Sequence, residues 1–318
     1  MDNVQGGDSG TGESAIMALD YYLWTGDARY LNLAFQAANY FMGHFQFNAT
    51  SGRVVVYPAQ VLETWWCDYD TNQHAFVNCC SDDSPTISGM IVLFERLLQL
   101  PPSVTSAAQR SSWREFSQKI PELPVADSII QPARILSSGK HNDEGPELYA
   151  MHPHRLFTKG RAVASGTDIT VAVNTHLNSA FAHENSGWNY GVNSAALLGL
   201  TNVAAQQVLE RASAGPAQGY RYPGFASHYQ DFDPSSDHFA NMLRAAQEMI
   251  LQSGEDGFNS TTIVLFPAWP CGWDVRAKLW APIDTVVEID YSAGKLNSLL
   301  VTPASRASAV KWANCVSL

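Results

Sequence analysis

The sequence predicts a mainly α chain: a partial α/α toroid of helical hairpins over residues 1–260, then a β-sandwich region over residues 261–318. Three observations carry that expectation. Apolar residues recur at spacings of three and four through most of the first part, the pattern of amphipathic helices. Those helices pair across short connectors and are separated by long polar loops rich in aromatic residues. After about residue 261 the pattern changes to alternation in β-branched runs.

The elements follow in order. "ESAIMALDYYLW" (13–24) sets Ile16, Leu19 and Leu23 on one face, and "DARYLNLAFQAANYFMGHF" (27–45) does the same with Leu31, Ala34, Phe35, Ala38 and Phe41. "TGD" joins them, with Asp27 as N-cap. "GRVVVYPA" is a short β excursion. "DDSPTISGMIVLFERLLQLP" opens on capping residues, runs at helical spacing and stops at Pro101 and Pro102; "SAAQRSSWREFSQKIPELP" is its helical partner. "GPELYAMHPHRLF" reads as a further helix, with Pro146 in the first turn, where its missing N–H costs nothing. "GWNYGVNSAALLGL" and "NVAAQQVLERA" form another pair, and "SSDHFANMLRAAQEMILQS" is a long helix capped by Ser235 or Ser236. "TTIVLFPAWP", "DTVVEIDYS" and "KLNSLLVTP" are strands, the last two joined by the turn "SAGK".

Composition narrows the function. The chain has 318 residues, 46% hydrophobic, which marks a globular protein of one large domain or one plus a small one. The formal charge of −11 argues against nucleic acid, whose binding needs cations to displace counterions from phosphates. Nine tryptophans and few charged groups suit a neutral, ring-shaped ligand such as a carbohydrate. No apolar run is long enough to cross a membrane. The glycine-rich start lacks a signal-peptide pattern, while sequons at Asn48 and Asn259 point to a secreted ancestor. Of five cysteines, Cys67 pairs with Cys79 or Cys80 across a short loop, or all stay buried free thiols.

Candidate site residues lie in the loops and at helix starts. Glu63 stands directly before Thr64, Trp65 and Trp66. A carboxyl desolvated by tryptophans has a raised pKa, as a general acid requires. Glu147, His152, His154 and Arg155 crowd one short stretch and suit a polar wall for sugar hydroxyls; two histidines at i, i+2, without HExxH or CxxC, do not make a zinc site. Trp188, Asn189 and Asn193 combine a flat face with planar amides. Asp237, beside His238, stands at a helix start, where the dipole favours its ionised form and hence a role as base. No nucleophile elbow, phosphate loop or dinucleotide fingerprint occurs, so neither cofactor nor metal is expected.

Taken in order, "PAQVLETWW", "GPELYAMHPHRLF", "GWNYGVNSAALLGL", "SSDHFANMLRAAQEMILQ", "LFPAWPCGWDVRAKLWAP" and "AGKLNSLLVTPASR" resemble the six-hairpin glycosidases related to glycoside hydrolase family 95, the α-L-fucosidase family. The resemblance covers nearly the whole chain. It implies an (α/α)6 barrel and inverting hydrolysis, with one carboxylic acid and one carboxylate on opposite faces of the sugar. By position it makes Glu63 the general acid, Asp237 the base side, and His152 and His154 substrate contacts. The family's acid motif ends in Glu-Asn where this chain has Glu63-Thr64, so α-L-fucose does not follow. Family members also carry an N-terminal β-sandwich and further barrel helices, so the chain is expected to be a truncated form, with inner apolar faces exposed. The leading expectation is a glycoside hydrolase acting on a plant or microbial glycan. The alternatives are a non-catalytic glycan-binding remnant and a polysaccharide lyase using Tyr149, His154 and Arg155.

Overall fold

The computed structural model describes residues 7–184, 188–213, 236–254, 257 and 262–315. The chain divides into two compact units: Met1–Leu156 with Gly257–Asn259, and Phe157–Asp256 with Ser260–Leu318.

The first unit opens with α1 (Gly7–Thr25) and α2 (Leu31–His44), packed as a pair. Asp27 caps the 3-10 turn between them, accepting the Arg29 N–H at 3.0 Å. Next come β1 (Gln46–Asn48) and β2 (Arg53–Val55), paired antiparallel, then β3 (Asp68–Asp70) and β4 (Ala75–Val77), a second small hairpin. β5 (Ser81–Asp83) runs into α3 (Ser84–Gln99), where Asp83 Oδ1 accepts the Thr86 N–H at 2.8 Å and Pro85 occupies the first turn. α4 (Ala107–Ser117) begins on a capping box formed by Ser106 and Gln109. β6 (Val125–Ala126) pairs β7 (Ile129–Ile130), and β8 (Ala133–Ile135) pairs back on β5. The core gathers Leu19, Phe41, Ile87, Leu93, Phe94 and Trp113, all buried. α1 and α3 approach where both lack side chains: a Cβ on Gly12 would lie 3.8 Å from the Gly89 Cα. Arg96, fully buried on α3, is paired with Asp20 on α1.

The second unit begins with four short helices: α5 (Lys159–Ser165), α6 (Thr170–Asn178), α7 (Ala180–His183) and α8 (Gly191–Leu198). Left-handed Gly166 and Gly199 end α5 and α8. α9 (Thr201–Ser213) and α10 (Ser236–Ile250) pack with α8. β9 (Leu251–Ser253), β10 (Ile263–Leu265) and the terminal β14 (Val310–Trp312) form a mixed sheet in the order β14-β10-β9. β11 (Val275–Ala281), β12 (Thr285–Ser292) and β13 (Lys295–Thr302) form an antiparallel meander. Gln252 ties sheet to helices: its Oε1 accepts the Gly160 N–H at 2.7 Å, and its Nε2 donates to Ala196 O at 3.0 Å.

Neither half of the expected fold class is found. Among the described residues no clear α/α toroid forms and no two sheets stack as a sandwich; their strands make small separate sheets of two or three strands. The physical reasons are local. β9 and β10 have three residues each and are buried throughout, too short to present an alternating face to a second sheet. The meander's inner residues, Val287, Ile289 and Tyr291, share a core with helical residues Val192, Ala196 and Met249. The segment "GPELYAMHPHRLF" is not a helix but a single 3-10 turn, Pro146–Leu148, followed by turns. Pro153 cannot donate a backbone hydrogen bond there, and Arg155 adopts φ 59°. Without that helix, the hairpin alternation needed by a toroid is broken.

Candidate acid site

Two loops far apart in sequence are joined in the first unit. Residues 61–65 close a tight turn: Val61 N–H donates to Trp65 O at 3.0 Å, and Trp65 N–H donates to Val61 O at 3.2 Å. The turn requires φ 51° at Leu62, a left-handed conformation that leucine rarely adopts. The segment 140–144 then zips onto it. His141 N–H donates to Thr64 O at 2.7 Å, and Trp65 forms a β-bridge with Lys140.

That pairing builds a carboxyl site. Glu144 Oε2 accepts the Glu63 N–H at 3.1 Å and the Thr64 hydroxyl at 3.3 Å. Thr64 is fully buried and Glu144 is half-buried. Burial holds the Glu144 pKa above the usual glutamate value, and the charge on Glu63 pushes it the same way. Those two effects outweigh the two hydrogen bonds, which pull it down. Nearby, burial raises the Tyr149 hydroxyl, with the charges of Glu13 and Glu144 adding to it, and burial also raises Glu13 on α1. The rim is aromatic: Trp66 stacks on His141 with ring centroids 4.5 Å apart and planes 11° apart, and the Lys140 ammonium lies 5.9 Å from the Trp65 ring.

The residues singled out in the sequence fall unevenly. Glu63 is on this rim but exposed; Asn142 Nδ2 donates to its Oε2 at 3.4 Å. The desolvation expected at Glu63 acts on Glu144 instead. Trp66 is 41% exposed and available as a flat face; Trp65 is partly buried against the core. Glu147, within the 3-10 segment, and His152 and Arg155, on the turns after it, are all half-buried. His154 is no surface contact: it is fully buried, its Nδ1 2.7 Å from Ser88 Oγ and its ring against Gly89. Burial drives its pKa down to about 3.

In the second unit, Asn189 and Asn193 are completely buried and work for the fold. Asn189 donates to Phe181 O at 2.6 Å and accepts from the Gly191 N–H at 2.7 Å; Asn193 donates to Asn241 Oδ1 at 3.0 Å. Trp188 is half-buried against Phe181, with centroids 5.5 Å apart. Asp237 and His238 belong to the first turn of α10, and their side chains lie outside the described residues.

Sequence reasoning misses Glu144, Glu13 and His141. Glu144 stands three positions before Glu147 in a polar loop, and its partner Glu63 is 81 residues away. Spacing alone carries no trace of that contact. The cysteines are bonded as Cys67–Cys79 and Cys271–Cys315, with Cys80 free and buried; the first is one of the two pairings open in the sequence, and nothing in the spacing points to the second. Among the described residues no group of three or more His, Cys, Asp or Glu is placed to hold a metal, and no helix is long and apolar enough to cross a membrane. No protein-family model matches the chain, and comparison with curated proteins returns no significant match.

Proposed function

We propose that the chain is an O-glycoside hydrolase in which Glu144, not Glu63, is the general acid. The observation that carries this reading is a half-buried carboxyl with a raised pKa, fixed by the Glu63 N–H and the Thr64 hydroxyl, beside an exposed Trp66–His141 stack. A carboxyl whose pKa is raised gives up its proton less readily to water, which suits it to protonate a departing glycosidic oxygen, and a flat aromatic face on the same loops can hold a sugar ring. Glu63 has two parts. Its charge pushes the Glu144 pKa up, and its exposed carboxylate is the group assigned as the base toward water. The resemblance to family 95 implies inversion at the anomeric carbon.

Two further observations favour a glycan substrate over the alternatives. The acidic chain and paired cysteines fit a secreted protein meeting neutral polysaccharides of plant or microbial origin. A lyase needs an ionisable base at the substrate, whereas His154 is buried and Tyr149 is pushed toward its neutral form. A glycan-contact surface without turnover is the second reading, favoured by the exposure of both Trp66 and Glu63.

The test is reducing-end release from a panel of neutral plant and microbial polysaccharides, with the product anomer read by proton NMR. Wild type is expected to release sugar with inversion, and Glu144→Gln to lose about 10²–10⁴-fold in kcat. Binding without release by wild type would favour the second reading. Release untouched in Glu144→Gln would remove Glu144 from the chemistry.

A further inference from the structure

The β11–β12–β13 meander has one face in the core and one in solvent. Burial alternates strictly along β12, and the register places Arg276 opposite Asp290, Lys278 opposite Glu288 and Trp280 opposite Val286. Across β12, Ser298 and Leu300 of β13 extend the same rows. A recess of about 500 Å³ lies over Arg276, Lys278, Glu288, Asp290, Ser298 and Leu300. Two residues beyond Lys278 on the same face of β11, Trp280 is 62% exposed. An indole that open on a sheet face contributes little to the fold, because its rows are already held by strand pairing.

The charges lining this recess are matched to one another. The Arg276 guanidinium grips Asp290 Oδ2 at 3.0 and 2.6 Å, Asn297 donates to Asp290 Oδ1 at 2.7 Å, and Lys278 lies 3.2 Å from Glu288. Two cations and two anions leave no net charge, which suits neither a polyanion nor a polycation. Apolar Trp280 and Leu300 are interspersed with these pairs, so a dry protein interface would have to desolvate them at a cost their attraction need not repay. A neutral polymer of hydroxyls meets neither objection: it leaves the ion pairs hydrated, bonds to their outer atoms, and lays a ring on the indole.

We propose that this outer face is a binding platform for a neutral polysaccharide, with Trp280 stacking on one sugar ring and the Arg276–Asp290 and Lys278–Glu288 pairs holding hydroxyls farther along the chain. It lies in a different unit from the acid site and does not depend on that site's chemistry.

The experiment is affinity gel electrophoresis of the whole chain in galactomannan, xyloglucan and xylan, with polygalacturonate as the anionic control. Wild type and Trp66→Ala are expected to be retarded by at least one neutral polymer. Trp280→Ala is expected to bind about tenfold more weakly, with its melting temperature and its turnover of small aryl glycosides unchanged. Lys278→Gln/Glu288→Gln should weaken binding less. The proposal is overturned if no neutral polymer retards wild type, if Trp280→Ala is retarded as strongly as wild type, or if only polygalacturonate acts. It is also overturned if sedimentation shows a self-association that Trp280→Ala abolishes, since the face would then be covered by a second copy.

Discussion

At the scale of single residues, the site turns on a carboxyl held by a neighbour's backbone rather than by a cation. Glu144 is half-buried and receives two neutral donors, and the charge on Glu63 works against its ionisation. Glu63→Gln removes the base and is therefore expected to lower kcat, while the alkaline limb of the residual kcat/KM moves to lower pH because the Glu144 pKa falls; a pH-rate profile reads both. Trp66→Ala removes the stacking face and is expected to raise KM about 2- to 10-fold, with a smaller effect on kcat. Stability should move the other way from activity in Glu144→Gln. A carboxyl whose folded pKa is raised favours the fold below its unfolded pKa and loses that contribution as pH rises through the folded value. Replacing it by an amide should leave the melting temperature at pH 7 unchanged or slightly higher while turnover falls. A combination of lost activity and lost stability would mark Glu144 as structural instead.

At the scale of elements, two close approaches constrain the helices. A Cβ on Gly89 of α3 would lie 3.2 Å from the buried His154 ring, and a Cβ on Gly191 at the start of α8 would run into the Ala182 backbone. Gly89→Ala is expected to cost about 1–3 kcal/mol in urea unfolding of its unit. Gly191→Ala should cost more, since a main chain cannot rotate away as a ring can. Helices with a cap and an apolar stripe are legible in the amino-acid pattern. α3 runs from the Asp83 cap to the position before Leu100 and Pro101, and α8, α9, α10 and the β12–β13 pair fall where periodicity puts them. The segment around His152 is not legible, because its apolar spacing imitates a helix while Pro153 and the left-handed Arg155 prevent one. The acid site is half legible. Glu63, Trp65 and Trp66 stand out as neighbours in sequence, but the carboxyl desolvated beside them arrives from residue 144 through a strand-like zip that leaves no local pattern. His154 and Asn193 stand out for the same polar character that the interior uses to tie turns together.

At the scale of the whole molecule, each unit holds a fully buried histidine among the described residues, His154 in the first and His176 in the second. Burial depresses the pKa of His154 to about 3 in the first unit and that of His176 to about 4 in the second, where the charge of His183 adds to it. The sign follows from which state binds the proton. The unfolded chain takes one up near the ordinary value of 6.5 and the folded unit does not, so stability falls as pH drops below 6.5 and levels off near the folded values. Unfolding free energies from urea titrations are expected to decline steadily between pH 6.5 and 4, by roughly 3 kcal/mol in each of the two units, and His176→Gln should flatten the decline in the second unit alone. The disulfides divide in the same way. Cys67–Cys79 spans 12 residues and Cys271–Cys315 spans 44, so reduction should weaken the second unit by about 1 kcal/mol more than the first on chain-entropy grounds.

If Glu144 delivers the proton to the leaving group, its loss must depend on how well that group departs unaided. Wild type and Glu144→Gln would be compared on one glycoside carrying either a dinitrophenyl group, which departs without a proton, or the natural sugar alcohol, which does not. A loss of about 10²–10⁴-fold is expected on the natural substrate, with little loss on the dinitrophenyl glycoside. Equal losses on both, or none on either, would contradict it.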